Sequence, residues 1–127
     1  YISKKGNYYG ADNLIDSDME TTWQEGEEDG GIGQSINFTF NEPAIISAMC
    51  IYNGKQTNNE AFYENNRIAS FTIFEDSLSV QLPDLMEAQY IIFENPLLED
   101  QVTLTLQSIF GGSKWNDTCI TEIIFYE

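Results

Sequence analysis

Short runs of strand character, each under ten residues, recur along the chain, and in Ser35–Phe40 and Gln101–Ile109 apolar and polar positions alternate with a period of two. Ser35–Phe40 alternates strictly, which places Ile36, Phe38 and Phe40 on one inner face. Ala44–Tyr52 is a longer apolar run and predicts a central strand buried on both faces. Further strands are predicted over Ile68–Phe74, Ser79–Leu82, Gln89–Phe93, Gln101–Ile109 and Cys119–Tyr126. Turn chemistry separates them at Asn41-Glu42-Pro43, Asn53-Gly54, Glu75-Asp76-Ser77, Pro83-Asp84, Asn95-Pro96 and Gly111–Asp117. No stretch carries a helical period beyond one turn at Asp84–Ala88, and Lys55–Asn66 reads as a polar loop. About seven or eight short strands joined by such turns predict an all-β, antiparallel jelly-roll β-sandwich.

The first stretch to depart from this pattern is Asn13–Trp23, which is too irregular for a strand and ends on a large aromatic. It gathers carboxylates, hydroxyls and backbone carbonyls at short spacing, the donor set a hard cation such as Ca2+ prefers. It lacks the spacing and flanking helices of an EF-hand, and turn formation by hydrogen bonds alone is the competing reading. Trp23 is expected in the core. The next loop, Gln24–Gly33, holds four acids and four glycines and reads as a solvated, flexible connection, with a second cation site as the lesser alternative.

Composition narrows the function classes. The chain has 127 residues, enough for one domain with a real core, read here as residues 1–127 of a larger protein with any targeting signal outside it. No apolar run approaches the roughly 18 residues of a membrane span, so membrane insertion is not expected. There are 21 acidic residues against 5 basic, a net charge of −16, and no histidine. Nucleic-acid backbones require Lys and Arg, so that partner class is excluded. Absent histidine removes the Ser-His-Asp and Cys-His nucleophiles, and two cysteines cannot build an ordinary zinc site. A carboxylate-pair glycosidase would need two acids facing each other in a cleft framed by aromatics, and no such pair stands out. The domain is therefore expected not to be an enzyme. Cys50 and Cys119 each sit in a strand and are either buried free thiols or a disulfide. Glu122 stands in an apolar strand, sharing a face with Ile120 and Ile124, and needs a partner there, a cation or Arg67. Arg67, one of few cations, is expected in an ion pair with a carboxylate.

Five motifs in order resemble a known family. Ala11-Asp12-Asn13-Leu14-Ile15-Asp16-Ser17-Asp18-Met19-Glu20-Thr21-Thr22-Trp23 is similar to the "A-x-N-A-x-D-G-D-x-x-T-x-W" opening of discoidin-type (coagulation-factor C-type) domains, a galactose-binding-type fold shared with many carbohydrate-binding modules. Gly33–Phe38, Ile51–Gly54, Asn66-Arg67-Ile68 and Asp117–Ile123 continue the match, and Ser17 departs from it where the family often has Gly. The closest resemblance is to the bacterial branch of glycan-binding or translocation domains in NAD glycohydrolase toxins. That resemblance implies a non-catalytic accessory module of a bacterial extracellular or cell-surface protein, with glycans and neighbouring domains of the parent protein as partners. The alternative is a protein-interaction or translocation domain using its acidic surface. The resemblance also implies a structural Ca2+ or Na+ held by Asn13, Asp16, Asp18, Thr21, Thr121 and Glu122. A sugar site would fall at Asn65 or Asn66 and at Trp115, completed by Lys55, Asn59 and Tyr63, with Asn7-Tyr8-Tyr9 another loop of suitable mix. The competing reading makes Tyr63 and Asn66 loop staples and half-buries Trp115.

Overall fold

The computed structural model describes residues 15, 18–20, 22–25 and 30–127. Six antiparallel strands and one short helix make up these residues: β1 (Trp23–Gln24), β2 (Ser35–Asn53), α1 (Asn59–Glu64), β3 (Arg67–Ile73), β4 (Leu78–Gln81), β5 (Ala88–Phe110) and β6 (Cys119–Tyr126). Hydrogen bonding follows a single order, β1-β6-β2-β5-β3-β4.

Two long strands turn this ribbon into two layers. The C-terminal half of β2 lies between β6 and residues 88–99 of β5. The N-terminal half of β2 pairs with residues 101–105 of β5, whose C-terminal half also carries β3 and, beyond it, β4. The pairing of β2 with β5 slips between Thr39 and Ala44, where the ribbon passes from one half to the other. A sheet with one apolar face and only a six-residue helix to cover it must bury that face against itself. The core duly draws on all six strands, with Trp23, Ile36, Ile46, Met49, Ile51, Ile68, Phe71, Val80, Leu104, Leu106, Ile120 and Ile123 buried together. The sandwich fold and the inward placement of Ile36 and Trp23 follow the sequence pattern.

Two expected breaks are absent. Asn41–Pro43 and Asn95–Pro96 do not end strands, because each proline sits in a bulge. Residues 40–43 lie opposite Asp100, and residues 93–96 lie opposite Ser47, so neither proline is asked for a ladder N–H. Counted as halves, β2 and β5 turn six strands into eight segments, four to a layer. The predicted loop 55–66 contains α1, started by Asn58, whose side chain accepts the Ala61 N–H at 2.8 Å. The Gln24–Gly33 connection is anchored rather than free where it is described. Glu25 is buried and takes the Thr118 N–H on its carboxylate at 3.0 Å, and the Thr118 hydroxyl donates to the Gly30 carbonyl.

Asn53 and Gly54 do more than end β2. The fully buried Asn53 amide donates to the Ile68 carbonyl at 2.7 Å and accepts the Ile68 N–H at 2.9 Å, tying β2 to the start of β3. Gly54 has φ +70°, and a Cβ there would lie 2.7 Å from Arg67 Cγ and 2.8 Å from the Phe62 ring. Gly54→Ala is expected to cost about 2 kcal/mol or more, from backbone strain plus the clash, read as a lower urea midpoint at unchanged m-value.

Candidate functional site

One end of the sandwich gathers α1, the start of β3 and the loop between β5 and β6. Its centre is Arg67, 5% exposed. The guanidinium grips Asp84 with two parallel bonds, Nε to Oδ1 at 3.0 Å and Nη2 to Oδ2 at 2.7 Å. Nη1 donates to the carbonyls of Asn65 at 3.0 Å, Tyr63 at 3.4 Å and Gly111 at 3.5 Å. Its plane also stacks near aromatic rings, with Cζ 5.3 Å from the centroids of both Phe62 and Tyr63. Every nitrogen of this buried cation has an acceptor, as a charge out of water requires. The expected ion pair is thus present, and its acid is Asp84, not Glu122.

The amides expected to touch a ligand are turned inward. Asn66 is 1% exposed. Its Nδ2 donates to Asn116 Oδ1 at 3.0 Å and its Oδ1 accepts the Gly112 N–H at 2.7 Å. Asn65 is 6% exposed and donates to the Ala61 carbonyl, closing the end of α1. Asn66 thus behaves as the expected loop staple, and Asn65, for which no such role was expected, closes α1. Asn59 opens α1 and is exposed, while Lys55 is partly buried beyond Gly54.

The two aromatics behave differently. Tyr63 is 48% exposed and Trp115 is 50% exposed. They are brought to one place by the backbone: Ser113 N–H donates to the Tyr63 carbonyl, and the Lys114 and Trp115 N–H groups both reach the Glu64 carbonyl, at 3.1 and 2.8 Å. Gly112 makes this approach possible, since a Cβ there would lie 2.4 Å from the Glu64 carbonyl oxygen. Beside the rings stand Lys114, 5.1 Å above the Trp115 ring centroid, and Glu64, whose carboxylate is 3.8 Å from the Lys114 ammonium. Lys114-Trp115-Asn116 is a stretch whose residue types suit a ligand site from the sequence, whereas Glu64 is placed there only by α1. The result is two half-exposed rings on fixed backbone with one cation and one anion at their rim.

With the fold and this loop end in view, relatives can be compared. The NAD glycohydrolase translocation F5/8 type C domain family matches residues 1–126. The chain belongs to this family. The Streptococcus pyogenes NAD+-glycohydrolase translocation domain superposes with a TM-score of 0.59 at 22% identity, covering 83% of this chain and 96% of that one. Carbohydrate-binding modules share the fold too. The family 32 module of Streptococcus pneumoniae EndoD gives a TM-score of 0.73 at 13% identity, over 99% of this chain and 90% of that one. The family 32 module of Clostridium perfringens NanJ, solved in complex with galactose, gives 0.65 at 18%, over 91% and 82%. A search of curated proteins by sequence found no match.

Of the residues considered for a cation in this translocation-type domain, Asn13, Asp16 and Thr21 lie outside the described residues. Asp18 is exposed and its Oδ1 accepts the Glu20 N–H at 2.9 Å. The buried Thr121 hydroxyl donates to the Gly54 carbonyl at 2.8 Å and accepts the Gln56 N–H at 3.1 Å. Glu122 is 3% exposed and sits opposite Tyr52. The register slips between Tyr52 and Asn53, so Ile120 points into the core with Trp23 and does not share the face of Glu122 and Ile124. Among the described residues no three His, Cys, Asp or Glu side chains converge. The buried Glu122 carboxylate is a donor type that a hard cation takes. Cys50 and Cys119 are free, buried thiols, and burial raises the pKa of both. Among the described residues no helix is long and apolar enough to cross a membrane.

Because Arg67 carries the whole loop end, substitutions there should be graded by geometry. Arg67→Lys keeps the charge but loses the fork and is expected to cost about 2 kcal/mol, with Arg67→Met costing more, about 3 kcal/mol. Urea unfolding of the two variants checks the order.

Proposed function

We propose that this domain is a non-catalytic glycan-binding module of an extracellular or cell-surface bacterial protein, with its ligand resting on Tyr63 and Trp115. The observation that carries this reading is the pair of half-exposed rings fixed by backbone hydrogen bonds between α1 and the β5–β6 loop. Sugar rings present C–H faces to aromatics and hydroxyls to polar groups, and here Lys114 and Glu64 supply a donor and an acceptor at the rim. Asn59 and Lys55 lie close by in the chain. The galactose complex of the NanJ module makes galactose-terminated glycans the first ligands to try. A glycan array with the intact domain is expected to show selective, weak binding. Trp115→Ala and Tyr63→Ala should each reduce affinity roughly tenfold or more, the loss of one aromatic contact. Undiminished binding by both variants would remove the site, and an array blank for every sugar would remove the reading.

The family and the charge support a second reading, an interaction domain in translocation that meets a basic partner through its acidic surface. It predicts binding that weakens with salt and ignores sugars.

We also infer a structural Ca2+ or Na+ held by Asn13, Asp16, Asp18, Thr21, Thr121 and Glu122. A cation there would join the first loop to β6; the oxygen-donor types of these residues, with a carboxylate at the start of β6, support it. Chelation with EDTA is expected to lower the thermal midpoint by several degrees, with recovery on adding Ca2+. An unchanged midpoint under chelation and in the absence of Na+ would count against the ion.

A further inference from the structure

The open side of the sandwich carries a surface of different chemistry from the aromatic loops. β4 ends the strand order, and β3 joins β5 only from Leu104 onward. Residues 88–99 of β5 therefore have a strand partner on one side only among the described residues, and β4 likewise. Between these two free edges lies a cleft of about 600 Å3, lined by Phe74, Leu78, Val80, Tyr90, Ile92 and Leu97 with their polar neighbours.

The edge of β5 is unusually apolar for a strand open to water. Tyr90 is 66% exposed, Ile92 81% and Leu98 67%. Register sets Ile92 beside Ala48 and then Tyr126, and Tyr90 beside Cys50 and then Ile124, so apolar surface continues from the edge across three strands. Free edges are ordinarily blunted by charged side chains, lysine above all, because an unpaired row of N–H and C=O groups recruits another strand. Here no lysine stands on the edge. From Ile68 to Ser113 the chain has no Lys or Arg at all, and its charged residues are Glu75, Asp76, Asp84, Glu87, Glu94, Glu99 and Asp100. Asp84 is taken by Arg67; the exposed Glu94 lines the cleft and Glu99 follows it along β5.

We propose that this cleft is the docking site for an extended segment of a partner protein in which apolar residues alternate with lysine or arginine. Such a segment adds one strand to the free edge of β5. Its apolar side chains enter the cleft against Leu78, Val80 and Phe93, while its cations, on the opposite face of the added strand, lie beside Tyr90 and Ile92 and reach the exposed Glu94. A second copy of this domain is the poorer occupant, since it would set Glu94 and Glu99 against their own copies in a chain of net charge −16. The proposal rests on the interaction-domain reading above and gives it a place on the molecule.

The test uses the intact domain and two synthetic peptides long enough to span Tyr90–Leu97, one alternating lysine and valine, the other glutamate and valine. Fluorescence anisotropy should show binding of the lysine–valine peptide, weakening as salt rises, and none of the glutamate–valine peptide. Ile92→Lys, at a position exposed enough to leave the thermal midpoint unchanged, should reduce that affinity roughly tenfold or more, and Ile92→Ala by less. Trp115→Ala should leave it unchanged. Salt-sensitive binding that ignores both Ile92 variants would remove the cleft but keep the interaction-domain reading. Failure of the lysine–valine peptide to bind would remove both. Equal binding of the two peptides would overturn the charge argument. Sedimentation showing a dimer that Ile92→Lys dissolves, without peptide binding, would assign the edge to a second copy.

Discussion

A single buried cation organises the loop end of this domain. Arg67 opens β3, reaches across to Asp84, and satisfies carbonyls from the end of α1 and from the loop after β5. Remove the charge and three separate chain segments lose their common anchor. Without that anchor nothing holds Tyr63 and Trp115 at fixed spacing, and two aromatics on independent loops would have to be ordered at the moment of binding, at an entropic cost. Packing of the sandwich thus reaches function through one guanidinium, not through the residues that would touch a ligand.

The rest of that end is arranged to keep the anchor dry and the loops close. Asn53 bridges to Ile68, Gly54 leaves room for the stems of Arg67 and the ring of Phe62, and Gly112 lets the β5–β6 loop lie on the backbone of α1. Asn66, just before β3, then grips the β5–β6 loop at both Gly112 and Asn116 through one side chain. These polar groups are buried and mutually satisfied, the condition under which a polar network specifies one geometry.

Much of the architecture was legible from alternation alone. Ile36, Phe71, Val102, Leu104 and Leu106 fall on the inner face as a period of two requires, and Trp23 is in the core. Prolines misled at positions 43 and 96, because a bulge and a break carry the same local chemistry and only the partner strand distinguishes them. The helix at Asn59–Glu64 is too short to show a period; its one local sign was the capping Asn58. The candidate ligand residues were readable as types but not as orientations. Asn65 and Asn66 looked like presented amides because sequence cannot say which way a loop side chain turns, and Asp84 was indistinguishable from a turn former until Arg67 was seen against it.

The continuity of β2 and β5 has a consequence for how the domain comes apart. Each strand belongs to both layers, so neither layer holds a complete set of hydrogen-bonded neighbours without the other. Strands from distant parts of the chain must meet before either half is stable, which makes folding slow for its size and concerted rather than stepwise. Amide protons in the middle of β2 and β5 can then exchange only when the entire sandwich opens, while those of β1, held by two residue pairs at the rim, can exchange by fraying.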